Sequence, residues 1–366
     1  MRAPSERSRS ERGAVVVIVA ITVAVLLGFL GFVLNAGHAT SVRGELQNAS
    51  DAAALAGARE LNGEQSGIDA ARRVAVDFAA LHDTDTTRTV DISQASDVVF
   101  CSWDVPSGQL DWCLPRGTDP SSAQAPPPSP AGTTQLQATN AVRVLDGRET
   151  SRGNALPVWL SAFLGSTTSM DSRSDAMAVG GAPCERRCLI PLVFARCQIR
   201  SDDGNLRCGQ QMTFIFANDG SDNIGFTNLA DAANVSNSLI RSLLDEAISG
   251  SGCIDVNTGD PIGIQNGNDL NRQLGERFQS LVGQIVYAPV VDFEGCPNPR
   301  YNRIHEVDGF VAFTIDVVVW RDEDAAQCDG HNRCIKLTMR CDQEVHSRRA
   351  GCGRYGMQAT SSQLVQ

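Results

Sequence analysis

Most of the reactive chemistry in this 366-residue chain lies in its twelve cysteines: Cys101, Cys113, Cys184, Cys188, Cys197, Cys208, Cys253, Cys296, Cys328, Cys334, Cys341 and Cys352. Cys184, Cys188, Cys197 and Cys208 offer four thiolates to a zinc ion, and His331, between Cys328 and Cys334, offers a ligand to a second site. The gaps of 3, 8 and 10 residues within the first set match no pair of C-x2-C knuckles. An even cysteine count outside the reducing cytoplasm points to disulfides instead, and twelve cysteines allow too many connectivities to assign every pair. One local bridge is expected, because Cys101 and Cys113 flank Trp103 and a turn at Pro106-Ser107-Gly108.

The other chemical signals are weaker. Gly351-Cys352-Gly353-Arg354-Tyr355-Gly356 matches G-x-G-x-x-G, but a dinucleotide fingerprint follows a buried strand and opens a helix. Here the string follows His346-Ser347-Arg348-Arg349 and has ten residues behind it, so we read it as fortuitous. Asp219-Gly220-Ser221-Asp222-Asn223 and Asp255-Val256-Asn257 carry oxygen ligands of the calcium type. Neither completes an EF-hand loop, and turn-forming Asx residues account for both. The histidines, His38, His82, His305, His331 and His346, are scattered, with no G-x-S-x-G elbow and no H-E-x-x-H. We expect no enzyme activity, no cofactor and no resident metal.

These residues are positioned by a chain with an uneven charge distribution. Its net charge is −11, which argues against nucleic-acid binding. Residues 1–13 form a basic head of four arginines against two glutamates, so the remaining chain carries −13. Next comes the apolar run 14–36, AVVVIVAITVAVLLGFLGFVLNA. As a helix its 23 residues would span roughly 34 Å, enough for a hydrocarbon core of about 30 Å. A cleaved leader is the competing reading, with Gly37-His38-Ala39 as a poor cleavage site. Its apolar region would be unusually long, however, and the run continues into a helical pattern without a break. We therefore expect a retained single-pass anchor in a bacterial inner membrane. By the positive-inside rule the N-terminus is cytoplasmic and the rest of the chain periplasmic.

Beyond the span, residues 37–82 read as juxtamembrane helices. Val42, Leu46, Ala49, Ala53 and Ala56 recur at steps of 4, 3, 4 and 3, a largely alanine helix-packing face. Small residues permit close backbone approach, so this face suits either a neighbouring membrane helix or the chain's own domain. Asn62-Gly63 closes that helix, and Ile68 to Leu81 forms a second one with Ile68, Ala71, Ala75, Phe78 and Ala79 on one side. Residues 83–352 read as a disulfide-rich α+β domain. Its expected strands are 97–104, 140–145, 212–217, 284–291, 309–320 and 335–339. Its expected helices are 235–248, with Val235, Leu239, Leu243 and Leu244 inward, and 269–282. A proline-rich loop covers 119–134, and 353–366 is expected to be a flexible tail.

The first sixty residues resemble a known family. Arg12-Gly13 before the span, Gly31-Phe32, Gly37, Arg43, Glu45-Leu46-Gln47-Asn48 and Asp51-Ala52-Ala53-Ala54-Leu55-Ala56-Gly57-Ala58 resemble the N-terminal module of the TadE/TadG-like Flp (tight-adherence) pilus-assembly family. Shorter strings resemble its larger, TadG-like members: Phe100 with Trp103-Asp104, Asn140–Val144, Asp175–Ala178, Ile224–Thr227, Asn266-Gly267, Pro289-Val290 and Gly309–Phe313. The resemblance implies an accessory or assembly role in a Tad/Flp-type pilus system. The implied partners are other pilus-assembly or pseudopilin-like membrane proteins, or a second copy of the chain. Processed pilins carry glutamate five residues after the cleavage glycine, whereas here Ile18 stands five after Gly13. The Asp-x-Ser-x-Ser metal motif of some larger relatives is not matched by Asp91-Ile92-Ser93-Gln94-Ala95. The alternative reading is a cell-envelope adhesion or ligand-binding protein with the same type of anchor.

Overall fold

One helix, α1 (Arg7–Arg59), runs unbroken for 53 residues, with no proline to interrupt it. The computed structural model describes residues 7–365 apart from 86–87, 91, 123–133, 159–167, 202–204, 217–223, 232–234, 266–269, 294–303, 322–326 and 329–332. From Val15 to Leu34 the large apolar side chains of α1 are exposed all round, which water does not favour and a bilayer does. This is the one helix among the described residues that is long and apolar enough to cross a membrane. Farther on, burial becomes one-sided: Val42, Leu46, Ala49 and Ala53 are sealed while Arg43, Gly44 and Asn48 stay exposed.

After α1 the chain turns at Gly63, whose φ of +83 suits glycine, and returns along α1 as α2 (Gln65–Ala79). Both helices pack on a five-stranded antiparallel sheet. Its strands are β1 (Val98–Asp104), β2 (Gln109–Cys113), β3 (Ala141–Arg148), β4 (Ser172–Val179) and, from the far end of the chain, β12 (Gln363–Val365). The order is β12-β4-β3-β1-β2, with Val142 opposite both Ala178 and Phe100. Phe100, Val142, Val144, Ala176 and Ala178 meet Ala49, Ala53, Ala54 and Ala58 of α1 and Ile68, Ala71 and Ala75 of α2.

The second half builds a seven-stranded sheet from β5 (Leu192–Ala195), β6 (Gln211–Ile215), β7 (Gly225–Thr227), β8 (Pro261–Gln265), β9 (Ile285–Val291), β10 (Ile304–Val319) and β11 (Cys334–Arg340). The order is β6-β11-β10-β8-β7-β5-β9, and β9 also pairs with β10, so five of the strands close on themselves. Such closure removes free sheet edges. Two helices cover one face: α3 (Asn237–Ser249), capped by Ser236, and α4 (Arg272–Ser280), capped by Asn271. Ile240, Leu244, Leu274 and Phe278 from these helices pack with Phe194, Phe214, Phe226 and Phe313 of the strands.

Disulfides join Cys101–Cys113, Cys184–Cys352, Cys188–Cys253, Cys208–Cys341 and Cys328–Cys334. Cys197 is also disulfide-bonded, while Cys296 lies outside the described residues. The four candidate zinc thiolates are therefore not one centre, since Cys184, Cys188 and Cys208 each bond a distant partner. By the loop-entropy argument, closing loops on the order of 100 residues contributes about 4–5 kcal/mol each.

Several expectations need correction. The segment 353–366 is not a loose tail: Tyr355 is buried, Met357–Ala359 pairs with Gln343–Val345, and β12 completes the first sheet. Met357, Leu364 and Val365 supply the apolar positions that allow this. The two large sheets both draw on residues 83–352, and the five-stranded one is finished only by the returning terminus. Phe78 and Leu239 point outward, because the buried faces are set by Ile68, Ala71, Ala75 and Ala79 and by Ile240, Leu243 and Leu244. His331, Asp219–Asn223, Asn266-Gly267 and most of the proline-rich loop lie outside the described residues.

The chain passes very close to α1 at Gly180, just past the end of β4. A Cβ there would lie 2.2 Å from the Ala58 carbonyl oxygen, a backbone atom that cannot swing aside. Gly180→Ala is expected to destabilise the full chain by about 1–3 kcal/mol. Gly44→Ala, where a Cβ meets nothing within 4 Å, is expected to be neutral or stabilising by about 0.5–1 kcal/mol. Thermal and denaturant unfolding in detergent reads both; an unchanged Gly180→Ala would mean that α1 sits farther from the sheet.

Candidate functional site: the membrane-proximal junction

Where α1 leaves its apolar run, it is clasped by the loop after α2. His38 lies two residues past Ala36, about 3 Å farther along the axis. Its Nε2 sits 2.7 Å from Asp85 Oδ1, and Arg148 Nη1 donates to Asp85 Oδ2 at 3.0 Å. The Asp85 backbone N–H donates to Glu45 Oε2, two turns higher on α1, at 2.8 Å. Asp85 has a φ of +57, a left-handed conformation that aspartate tolerates better than most residues. The hydrogen bond from His38 is the chief cause holding the Asp85 carboxyl below its ordinary range; burial opposes it, and Arg148 adds to it. This clasp holds Asp85 against α1 just past the end of its apolar run.

A second charged group braces the same end of the sheet. Asp97, 1 % exposed, accepts from Arg152 Nη1 and Nη2 at 2.9 and 2.8 Å and from the Ser93 N–H at 2.8 Å. Between this pair and the clasp lies a polar cavity of about 750 Å³, lined by Leu46, Thr84, Asp97, Arg116, Asp146 and Arg148 among others. On the far side of α2, Asp119 accepts from Arg72 and Gln65, fixing that helix to the start of the proline-rich loop. Burial raises the Asp119 carboxyl, but hydrogen bonds from Ser121, Arg72 and Gln65 outweigh it and bring the pKa to about 2.

Chemically, this arrangement fastens one part of the chain to another. Carboxylates meet guanidinium or imidazole partners, and among the described residues no three His, Cys, Asp or Glu side chains are grouped to hold a metal ion. The alanine face is likewise occupied. Val42, Leu46, Ala49 and Ala53 are buried in the core of the first sheet, and Ala56 is half-buried on the flank. Of the two uses open to that face, the structure places it on the chain's own domain. Small side chains let α1 approach a sheet as closely as they would let it approach another helix. Ser50 and Ser174 also share a 2.7 Å hydrogen bond within this contact, and Gln47 donates to the Asp175 carbonyl.

The glycine string 351–356 is explained by threading rather than by nucleotide binding. Gly351, with φ +102, passes against Val179, and a Cβ at Gly353 would lie 2.1 Å from the Asp308 carbonyl oxygen. The string carries the chain between the two sheets. The Asp85 clasp had no local signal, because its partners come from positions 38, 45 and 148.

The family model for Flp pilus-assembly TadE/G-like proteins matches residues 13–60, the interval that runs from the start of the apolar run to the end of α1. No curated protein and no solved structure matches the chain.

Asp85 titrates lower in the folded chain than in the unfolded one, so its contribution is complete above the ordinary aspartate pKa of 3.8 and is lost as pH falls through the lower folded value. At neutral pH, Asp85→Asn is expected to cost about 1–3 kcal/mol, since it leaves Arg148 and His38 without their carboxylate. The gap between wild type and variant should begin to close as pH falls below 3.8 and go on closing as it falls through the lower folded value. Thermal unfolding against pH measures this, and a gap independent of pH would remove the clasp from the account of stability.

Proposed function

We propose that this chain is a membrane-anchored, non-catalytic assembly component of a Tad/Flp-type pilus system. It sits in the bacterial inner membrane with a cytoplasmic N-terminus and a periplasmic domain. The observation that carries the reading is the coincidence of the family match with a single mechanical part. Residues 13–60 hold both the apolar span and the helix that forms the core of the first sheet. The basic head supports the orientation, and disulfides in the body agree with it. The non-catalytic part of the reading rests on the family match.

Partner contacts are then assigned to the lipid-facing part of α1, because the alanine face above it is covered. Other pilus-assembly or pseudopilin-like membrane proteins, or a second copy of the chain, would pack against Val15–Leu34.

Three experiments test this. Deletion of the gene in its native host should abolish pili. The full chain should restore them, whereas a version with the span replaced by a cleaved leader should not; normal piliation after deletion would sink the reading. A photo-crosslinker at Phe29 or Phe32 should capture a membrane protein of the pilus system, while one at Ala49 should yield only intramolecular products. A periplasm-active reporter fused after Leu81 should be active, and the reverse would overturn the orientation.

A further inference from the structure

We propose that a groove at the end of the first sheet nearest the apolar run seats the phosphate of an anionic lipid headgroup between Arg43 and Arg116. The site rests on the membrane reading of α1 and is independent of the pilus role. The groove has a volume of about 380 Å³, and Arg43, Arg116, Arg152 and Arg173 all line it. Gln47, one turn farther along α1 than Arg43, donates to the Asp175 carbonyl at 3.1 Å, so this flank of the helix faces β4. Arg116 sits in the turn after β2, fixed by the Leu114 N–H on the Phe100 carbonyl and the Thr118 N–H on the Pro115 carbonyl. Antiparallel pairing of β2 with β1 and of β1 with β3 brings that turn to the same end of the sheet as Arg148 and its partner Asp85.

Three acids line the groove with these arginines, and each is engaged. Glu149 accepts from Arg173, and Asp175 accepts from Arg143, which lies outside the lining. Asp146 is 5 % exposed and accepts from the Gly147 N–H at 2.6 Å. Arg152 is held by Asp97. Arg43 and Arg116 are exposed and, among the described residues, form no hydrogen bond or ion pair. Exposed arginines are ordinary on a protein surface, so it is the position of this pair, beside a membrane-length apolar run, that selects the partner.

Depth makes the match. Arg43 follows Ala36 by seven positions, which puts its Cα about 10 Å beyond the end of the apolar run. Helical side chains lean toward the N-terminus, which carries a long guanidinium stem back toward that run. The headgroup layer is about 5–7 Å deep on each side of the hydrocarbon, so the charged tip meets the phosphates while the helix backbone stays above them. A planar guanidinium fork pairs with two phosphate oxygens at once. The acidic body, at −11 overall, repels an extended polyanion such as a nucleic acid, whereas a single headgroup meets only the groove.

The test uses the full chain in lipid nanodiscs, with photo-crosslinks mapped by mass spectrometry. The probes are phosphatidylglycerol with a diazirine on its headgroup, phosphatidylcholine labelled in the same way, and phosphatidylglycerol with the diazirine at the end of an acyl chain. The glycerol-headgroup probe should label the peptides around residues 43 and 116 at least about fivefold more than the choline probe. Arg43→Gln and Arg116→Gln should each lower that yield by about fivefold, whereas Arg43→Lys and Arg116→Lys should keep most of it. Both side chains are exposed, so the unfolding curves of these variants should match wild type. Equal labelling by the two headgroups, or a yield unmoved by either glutamine variant, would overturn the proposal. So would displacement by free glycerol phosphate at tens of millimolar, which would mark a soluble-phosphate site. The acyl-chain probe should label Val15–Leu34 in every variant. If it does and the headgroup probe misses the groove, the headgroup site falls and the anchor stands; if it does not, both fall.

Discussion

The close approach of α1 to the first sheet is the constraint on which the rest of this molecule depends. A long helix that leaves an exposed apolar run must either end in a linker or enter a folded core. Here it enters, and the packing distance is set by backbone contact, with Gly180 under the Ala58 carbonyl and Gly57 against Ala71, Ala75 and Val142. Alanine and glycine on α1 are what permit that distance. They contribute little hydrophobic area each, but they bring the helix within van der Waals range of large sheet residues such as Phe100 and Val142.

That seat is stabilised from the opposite end of the sequence. Gln358 donates to the carbonyl of Arg59, one of the last-turn carbonyls that a helix leaves without intrahelical partners. Ser362 donates to the Leu55 carbonyl, and β12 closes the sheet beneath. Cys184–Cys352 fixes the segment that returns the chain to this position. The first sheet is therefore complete only when the second half has folded and delivered its terminus, a connection of high sequence separation that costs loop entropy.

Local signals made much of this legible. The uniform apolarity of 14–36 marks the span, the 4-3-4-3 alanine steps mark a packed face, and runs such as GFVAFTIDVVVW mark a buried strand. The Cys101–Cys113 bridge could be read from a turn between two strands. Long-range choices were not legible. Alanine spacing states that something comes close, without naming a sheet or a second helix. The polar composition of 353–366 concealed Met357, Leu364 and Val365, each too isolated to signal a strand without its partner. Arg354 drew notice only as part of a glycine string, since its burial arises from two distant segments meeting around it.

These features give a mechanical reading of the junction. A stiff helix entering a core transmits axial displacement, but rotation about its own axis must be blocked separately. Each residue along α1 turns the face by about 100°, so a slip of one position would swing the buried stripe out of the sheet. The stripe resists this from residue 42 upward. His38 below it and Glu45 alongside it hold Asp85 from two levels of the same helix, and Arg148 ties that aspartate to β3. The clasp thus fixes the turn of α1 at His38, between the end of the apolar run and the start of the buried stripe. Without it, the three residues between His38 and Val42 would be the section of α1 least held against twisting.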